Sequence, residues 1–465
     1  MKKVMILGAR APACLEWARA FAGAGWHVTV ADSLSWPLAR SSRSAHAFLR
    51  LPEPRRDVNA WIKALLKAIQ AEKIDLVLPT CEEVFYLAHG LDKLRKVCRV
   101  FTSDFSLLNE LHHKGRFPTL TKDWPVVAPE TRLLESPAAL LAYGKNSDEW
   151  VFKPAYSRFA SQTLIRPTAR ALSRVAPEPG RPWVAQRFIA GKEHSSFSIL
   201  VGGQLRAHAC YYSRYRAGKG AGIYFEPTDP APVRAMVEHF GKTTGYTGQV
   251  GFDFIEDTAG KFHVLECNPR ATSGVHFFEG QAEALIASLG SESAEPVLTP
   301  APGTRMVALA VLLFAAPRQA WKAEFWRDFA RAKDVILRGG DHGPARHERD
   351  RARQRGPRRE REHQRCAQQR AQRGSARHGV DAHHEPDERE RAEEHDEDVR
   401  APVDPGHCLD VRGPDRPHHR RERSGQDCDR TAAAERAKCC EERGRCEGMP
   451  EHARQVVTPR RRAKD

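Results

Sequence analysis

Residues 251–270 read GFDFIEDTAGKFHVLECNPR and hold two carboxylates, a carboxamide and a guanidinium within eighteen positions, at Asp253, Glu266, Asn268 and Arg270. Asp257-Thr258-Ala259-Gly260 has the composition of a turn between two strands, and a two- or four-residue loop pairs Asp253 with Val264. Alternation then puts Asp253, Glu266 and Asn268 on one sheet face. Three oxygen ligands, two of them anionic, suit Mg²⁺ or Mn²⁺, which a nucleotide's phosphates would also hold. Arg270 places a planar guanidinium beside that metal, as a reaction through a phosphorylated or carboxylate intermediate needs. An exposed hairpin face is the plainer reading. Against it, Phe252, Phe254, Phe262 and Leu265 surround these carboxylates, and unpaired charge there is expensive without a cation.

The same residues resemble the E-x-N-P-R metal-binding signature of the ATP-grasp superfamily, most closely the branch with the carbamoyl-phosphate synthetase large chain and biotin carboxylase. The resemblance runs from about residue 3 to about 340. It implies an α/β chain: an N-terminal pre-ATP-grasp parallel-sheet domain followed by a two-lobed α+β ATP-grasp domain that clamps ATP. Carried over by position, Lys114 in LHHKGRF and Lys153 in WVFKPAYS are the nucleotide-binding lysines. Gln186, Phe188 and Ile189 in QRFI form the hinge that meets adenine, and Glu193 in AGKEHSS binds the ribose hydroxyls. Asp253, Glu266 and Asn268 become the metal ligands, and Arg270 steadies the transferred phosphoryl group. The implied activity is that of an ADP-forming carboxylate–amine ligase using ATP and Mg²⁺ (or Mn²⁺), with a homodimer compatible. The loop after Lys153 reads AYSRFASQT and lacks the glycines of many relatives; Ser157, Ser161, Thr163 and Arg158 are its substitutes. No acceptor motif of the branch follows the metal strand, so the carboxylate and nucleophile do not transfer with the fold.

These side chains need elements to place them. KVMILG at 3–8 is a short apolar strand ending in Gly, and Cys14, Trp17, Ala18 and Phe21 recur at helical spacing after it. Strands follow at 27–31 and 74–78, separated by a helical stripe of Trp61, Ile62, Leu65 and Ile69. Strand and helix in alternation predict a parallel sheet covered on both faces. Its first turn, Gly8-Ala9-Arg10-Ala11-Pro12-Ala13, keeps only the first glycine of G-x-G-x-x-G, so Asp32 reads better as a loop cap than as a dinucleotide ligand. A helix with Leu107, Leu108 and Leu111 leads to Lys114. Strands are expected at 150–153, 182–189 and 195–201 before the hairpin. The divisions are 1–104, 105–300, a helical closing segment 301–340 and a tail 341–465. Tyr211 to Gly220 combines tyrosines, cations and glycines, a candidate anion-binding loop that Ser273 and His276 could face, or a plain surface loop.

Composition separates the tail from the rest. The chain has 465 residues and a net charge of +15, yet every aromatic lies at or before Phe329 and the first 340 residues carry +12 of the charge. Residues 341–465 hold 28 Arg against 2 Lys, a switch toward GC-rich codons that suggests a shifted reading frame or a disordered segment. Acidic clusters such as Asp396-Glu397-Asp398 and the lack of stacking aromatics argue against nucleic acid as a partner. No apolar run reaches membrane-spanning length, and Arg10, Glu16 and Arg19 interrupt any signal-peptide pattern, so the expected compartment is the cytoplasm without membrane attachment. Eleven cysteines show no C-x-x-C, which gives neither a zinc site nor a disulfide framework. A nicotinamide-dependent oxidoreductase, a non-catalytic ATP-binding protein and a nucleic-acid-binding protein drawing on the net +15 are the rival readings.

Overall fold

A computed structural model describes residues 1–157, 162–218, 220–290 and 296–344, so the expected tail lies, from 345 on, outside the described residues. The first five strands are β1 (Lys3–Leu7), β2 (His27–Asp32), β3 (Ala47–Arg50), β4 (Leu76–Pro79) and β5 (Arg99–Val100). They form one sheet in the order β3-β2-β1-β4-β5, and every pairing is parallel. Val4, Ile6, Val28, Val30 and Leu78 are fully buried, as a sheet covered on both faces requires. The helix Pro12–Gly23 opens on a proline, whose missing N–H is no loss in the first turn, and buries Cys14, Trp17, Ala18 and Phe21. Asp57 caps the helix Val58–Glu72 by accepting from Ala60 N at 2.8 Å.

Gly8 sits at φ +83°, where a Cβ would meet Thr80 Oγ1 at 2.7 Å. That contact explains the glycine without any ligand. Asp32 is likewise occupied: it accepts from Arg10 N and Nε, each at 3.0 Å, and from Leu34 N at 2.9 Å. It caps the loop.

Two further sheets carry the rest. Strands β6 (Thr131–Leu134), β7 (Trp150–Pro154), β8 (Leu164–Ile165) and β9 (Trp183–Arg187) pair antiparallel in the order β6-β9-β7-β8. Next come β10 (Gly191–Val201), β11 (Gln204–Ser213), the short hairpin β12 (Arg216–Ala217) and β13 (Ala221–Gly222), and β14 (Tyr224–Thr228). The chain closes with β15 (Gly248–Asp257), β16 (Phe262–Asn268), β17 (Arg305–Met306) and β18 (Lys333–Asp334). A seven-stranded sheet runs β16-β15-β10-β11-β14-β17-β18. The helix Ala231–Thr244 buries Val233, Met236, Val237 and Phe240 in a core with Phe252, Phe254, Val264 and, from the preceding segment, Leu108, Leu111 and Phe117. The first sheet is tied to the last by Trp17, whose Nε1 donates to Gln249 Oε1 at 2.7 Å, while Gln249 Nε2 donates to Pro79 O at 2.7 Å.

The register of the β15–β16 hairpin corrects the sequence expectation. Asp257 N bonds Lys261 O, which leaves a three-residue loop with Gly260 at φ +79°, and Asp257 Oδ1 accepts from Ala259 N and Lys261 N. Val264 therefore pairs with Phe254, not Asp253. An odd loop alone would turn Asp253 and Glu266 to opposite faces. Leu265 is an extra, unpaired residue, and beyond this bulge Asp253 stands directly opposite Glu266. The two carboxylates meet because two departures from regular pairing cancel.

At the expected end of the folded part near 340, Asp341 is buried and accepts from Arg19 Nε at 2.9 Å, Ser42 Oγ at 2.7 Å and Arg43 N at 3.1 Å.

His208 supplies a stability prediction. Its Nδ1 lies 2.9 Å from Ser198 Oγ, its Nε2 has no hydrogen-bond partner among the described residues, and burial assisted by the charge of Arg234 lowers its pKa from 6.5 to about 4. Above pH 6.5 the ring is neutral folded or unfolded; below it the unfolded chain takes up the proton first. Stability therefore falls through the window from 6.5 down to about 4. Replacing His208 by Gln should reduce the loss between pH 7 and pH 5 by on the order of 2 kcal/mol, read by urea unfolding at both pH values. An identical pH dependence in both chains would rule this contribution out.

Candidate functional site

β7 and β9 of the four-stranded sheet and β10, β15 and β16 of the seven-stranded sheet face a cavity of 290 Å³. Nine of the ten expected residues line it: Lys153, Gln186, Phe188, Ile189, Glu193, Asp253, Glu266, Asn268 and Arg270. Lys114 does not line it, but its Nζ lies 3.5 Å from Glu266 Oε2 and donates to Ser157 O at 2.7 Å. Lys153 Nζ lies 3.3 Å from the same Glu266 oxygen.

Two lysines thus converge on one carboxylate while the opposing carboxylate has none. Burial raises the Glu266 carboxyl, but the Lys114 and Lys153 charges outweigh burial and hold it below the usual range. Burial and the facing Glu266 charge push Asp253 upward. Asp253 Oδ1 accepts from Ser195 Oγ at 2.6 Å and Oδ2 from Asn268 Nδ2 at 3.0 Å. Asn268 Oδ1 accepts from Arg270 at 3.2 Å. The two carboxylates fit a divalent cation, whose charge would relieve Asp253; Asn268 becomes a third ligand only if its amide turns its oxygen inward. Among the described residues no group of three or more His, Cys, Asp or Glu side chains converges as a metal centre.

Arg270 is fixed from three sides. Its Nε pairs with Glu82 Oε1 at 3.0 Å, and its terminal nitrogens donate to Asn268 Oδ1 and Ala271 O. Glu82, just past the C-terminal end of β4, escaped the sequence reading. Its signal is positional: an acid at the carboxyl end of a parallel strand, where such sheets place ligand sites. Ser195 escaped for want of any local pattern.

The nucleotide side holds some surprises. Gln186 is buried and its amide donates to Thr131 Oγ1 and Leu265 O, so the side chain braces the sheet while its strand borders the cavity. Phe188 stacks 5.1 Å from the Arg166 guanidinium. Glu193 pairs with Arg216. Thr163 lines the cavity; Arg158 and Ser161 lie outside the described residues.

Part of the 211–218 segment is held by contacts, while Ser213 and Arg216 line the cavity. Tyr211 is buried, Tyr215 donates to Asp328 Oδ2 at 2.7 Å, and Arg214 pairs with Glu226 and Glu324. Ser273 lines the cavity, whereas His276 turns from it to Glu16 at 2.8 Å.

The chain matches no protein-family model and no curated protein. Solved structures do match. N5-carboxyaminoimidazole synthase from Aspergillus clavatus, in complex with ADP and 5-aminoimidazole ribonucleotide, aligns at 14% identity and a TM-score of 0.52 over 66% of this chain and 82% of its own. The biotin carboxylase domain of the Hydrogenobacter thermophilus 2-oxoglutarate carboxylase, a dimer with MgADP, ADP and bicarbonate, aligns at 14% identity and 0.51 over 65% and 73%. N5-carboxyaminoimidazole synthetase from Staphylococcus aureus aligns at 13% and 0.51 over 70% and 87%. These are ATP-grasp enzymes, and this chain has their fold.

Lys153 closes one wall of the cavity with a charge that phosphate oxygens can share. Lys153→Ala should weaken Mg·ATP binding by about 10- to 100-fold, the worth of one charge-assisted contact, in a calorimetric titration. Unchanged affinity would remove the lysine from the nucleotide site.

Proposed function

We propose that this chain is an ATP- and Mg²⁺-dependent, ADP-forming ligase that joins a carboxylate to an amine in the cytoplasm. The supporting observation is the pair Asp253 and Glu266, partly buried and directly opposite each other, with Lys114 and Lys153 converging on Glu266 and the pinned Arg270 lining the same cavity. The cavity also differs from end to end. Val151, Ile165, Phe188, Ile189 and Leu265 give an apolar slot suited to adenine, and Lys153, Asp253 and Glu266 supply its charged lining.

Asp253 and Glu266 would hold the metal, which supplies charge neutralisation to the phosphates when bound. Lys153 then holds phosphate oxygens in the ground state. A carboxylate oxygen of the first substrate attacks Pγ; the new O–P bond forms as the Pγ–O bond to ADP breaks, and ADP leaves with the electron pair. Arg270 stabilises the charge spread over the moving phosphoryl. An amine next attacks the acyl carbon, phosphate leaves with the bonding pair, and the amine loses a proton. Because Arg270 is held by three protein acceptors, it enters the reaction already oriented.

The reading is tested by a coupled assay for ADP over a panel of carboxylates and amines. ADP should appear with Mg·ATP and a carboxylate, and rise when the amine is added. AMP and pyrophosphate in place of ADP would overturn the reading.

A further inference from the structure

We propose that the carboxylate accepted by this chain is a small one bearing a hydroxyl or amino group, seated at the hydroxyl-lined end of the cavity with Arg216 as its charge partner. The proposal rests on the ligase reading above. Opposite the apolar slot, Ser195, Tyr211, Ser213, Thr272 and Ser273 all line the cavity. The Tyr211 hydroxyl bonds Ser195, Thr272 and Ser273, so these hydroxyls form one cluster. Ser195 donates to Asp253 and Thr272 donates to Ser196 O at 2.7 Å, so both hydroxyls have committed their protons and can only accept further, from the neighbouring Tyr211 hydroxyl and from a ligand. Lone pairs suit a ligand with O–H or N–H donors. An apolar group there would leave them unpaired.

The cations at this end are not equivalent. Arg270 has its guanidinium tied to Glu82, Asn268 and Ala271 O. Arg216, on the β12–β13 hairpin, pairs with the half-exposed Glu193, makes a long 3.5 Å contact to Gly220 O and lies within reach of the Asp253 charge. Glu193 is the acid expected to meet the ribose hydroxyls. A nucleotide that takes Glu193 leaves Arg216 with an open fork, which matches a carboxylate in two-point contact. Size is limited as well. The cavity measures 290 Å³, and Gly222 packs so close to its wall that a Cβ would lie 2.3 Å from Ser213 Oγ.

The test compares L-serine, glycolate, L-leucine and 4-phenylbutyrate as acceptors for the full chain, read as Mg·ATP-dependent ADP release. L-Serine or glycolate should exceed the two apolar acids by about 100-fold or more in kcat/KM, the discrimination expected when site hydroxyls would be left unpaired. Arg216→Ala should raise KM for the polar acceptor by about 10-fold or more, with the affinity for Mg·AMP-PNP changed by less than about 3-fold, and Arg216→Lys should recover only part of it. Preference for L-leucine or 4-phenylbutyrate would overturn the acceptor class and leave the ligase reading standing. An unchanged acceptor KM in Arg216→Ala would overturn the role of Arg216. ADP release with none of many carboxylates would overturn the ligase reading, and the acceptor with it.

Discussion

Glu266→Gln should abolish the Mg²⁺-dependent stabilisation of the protein by ATP that the proposed function predicts. The substitution keeps the shape of the side chain but removes the one negative charge on which Lys114 and Lys153 converge, at 3.5 and 3.3 Å. Two effects follow from the same atom. The cation loses half of its anionic ligand pair, so the affinity for Mg·ATP should fall by at least about 100-fold, near 3 kcal/mol. The buried lysines also lose their counter-charge, and removing one partner from such a cluster costs about 3–5 kcal/mol of stability. Thermal unfolding with and without Mg·ATP separates the two, since the first appears as the missing ligand shift and the second as a lower starting Tm. Far-ultraviolet circular dichroism should show an intact fold. Retention of the full Mg·ATP shift would remove Glu266 from the metal site.

The second large effect belongs to Arg270. Arg270→Ala should lower kcat by about 10²–10³ while Mg·ATP affinity stays within about 3-fold, because charge on the moving phosphoryl needs the guanidinium mainly in the transition state. Arg270→Lys should recover little. An ammonium cannot serve Glu82, Asn268 and Ala271 O at once and still face the cavity in one orientation. Single-turnover ADP release, with a separate titration of AMP-PNP, reads the two quantities independently. Equal losses in binding and rate would argue that Arg270 merely holds the site together.

Much of this site was open to reading from residue types alone. Asp253, Glu266, Asn268 and Arg270 sit within one short hairpin, where alternation and turn composition have direct geometric meaning. The register itself was not open. Loop length and the bulge at Leu265 depend on backbone hydrogen bonds that no side-chain pattern reports, and the expected pairing with Val264 differs from the observed one. The parallel sheet announced itself in the apolar runs of β1, β2 and β4. Its edge strands did not: Ala47–Arg50 and Arg99–Val100 are short, polar in part and paired on one side only. Long-range partners were the least visible. Glu82 reaches Arg270 across 188 positions and Arg216 meets Glu193 from a hairpin that reads as surface, since ion pairs between distant segments leave no local trace.

The central claim, that this cavity binds a metal–nucleotide complex, is tested most directly by calorimetric titration of the full chain with AMP-PNP in the presence and absence of Mg²⁺. One nucleotide should bind per chain with Mg²⁺, the affinity should fall at least about 10-fold when EDTA removes the metal, and NADH should give no heat. Binding of AMP-PNP that is equal with and without Mg²⁺, or no binding at all beside a saturable signal for NADH, would contradict it.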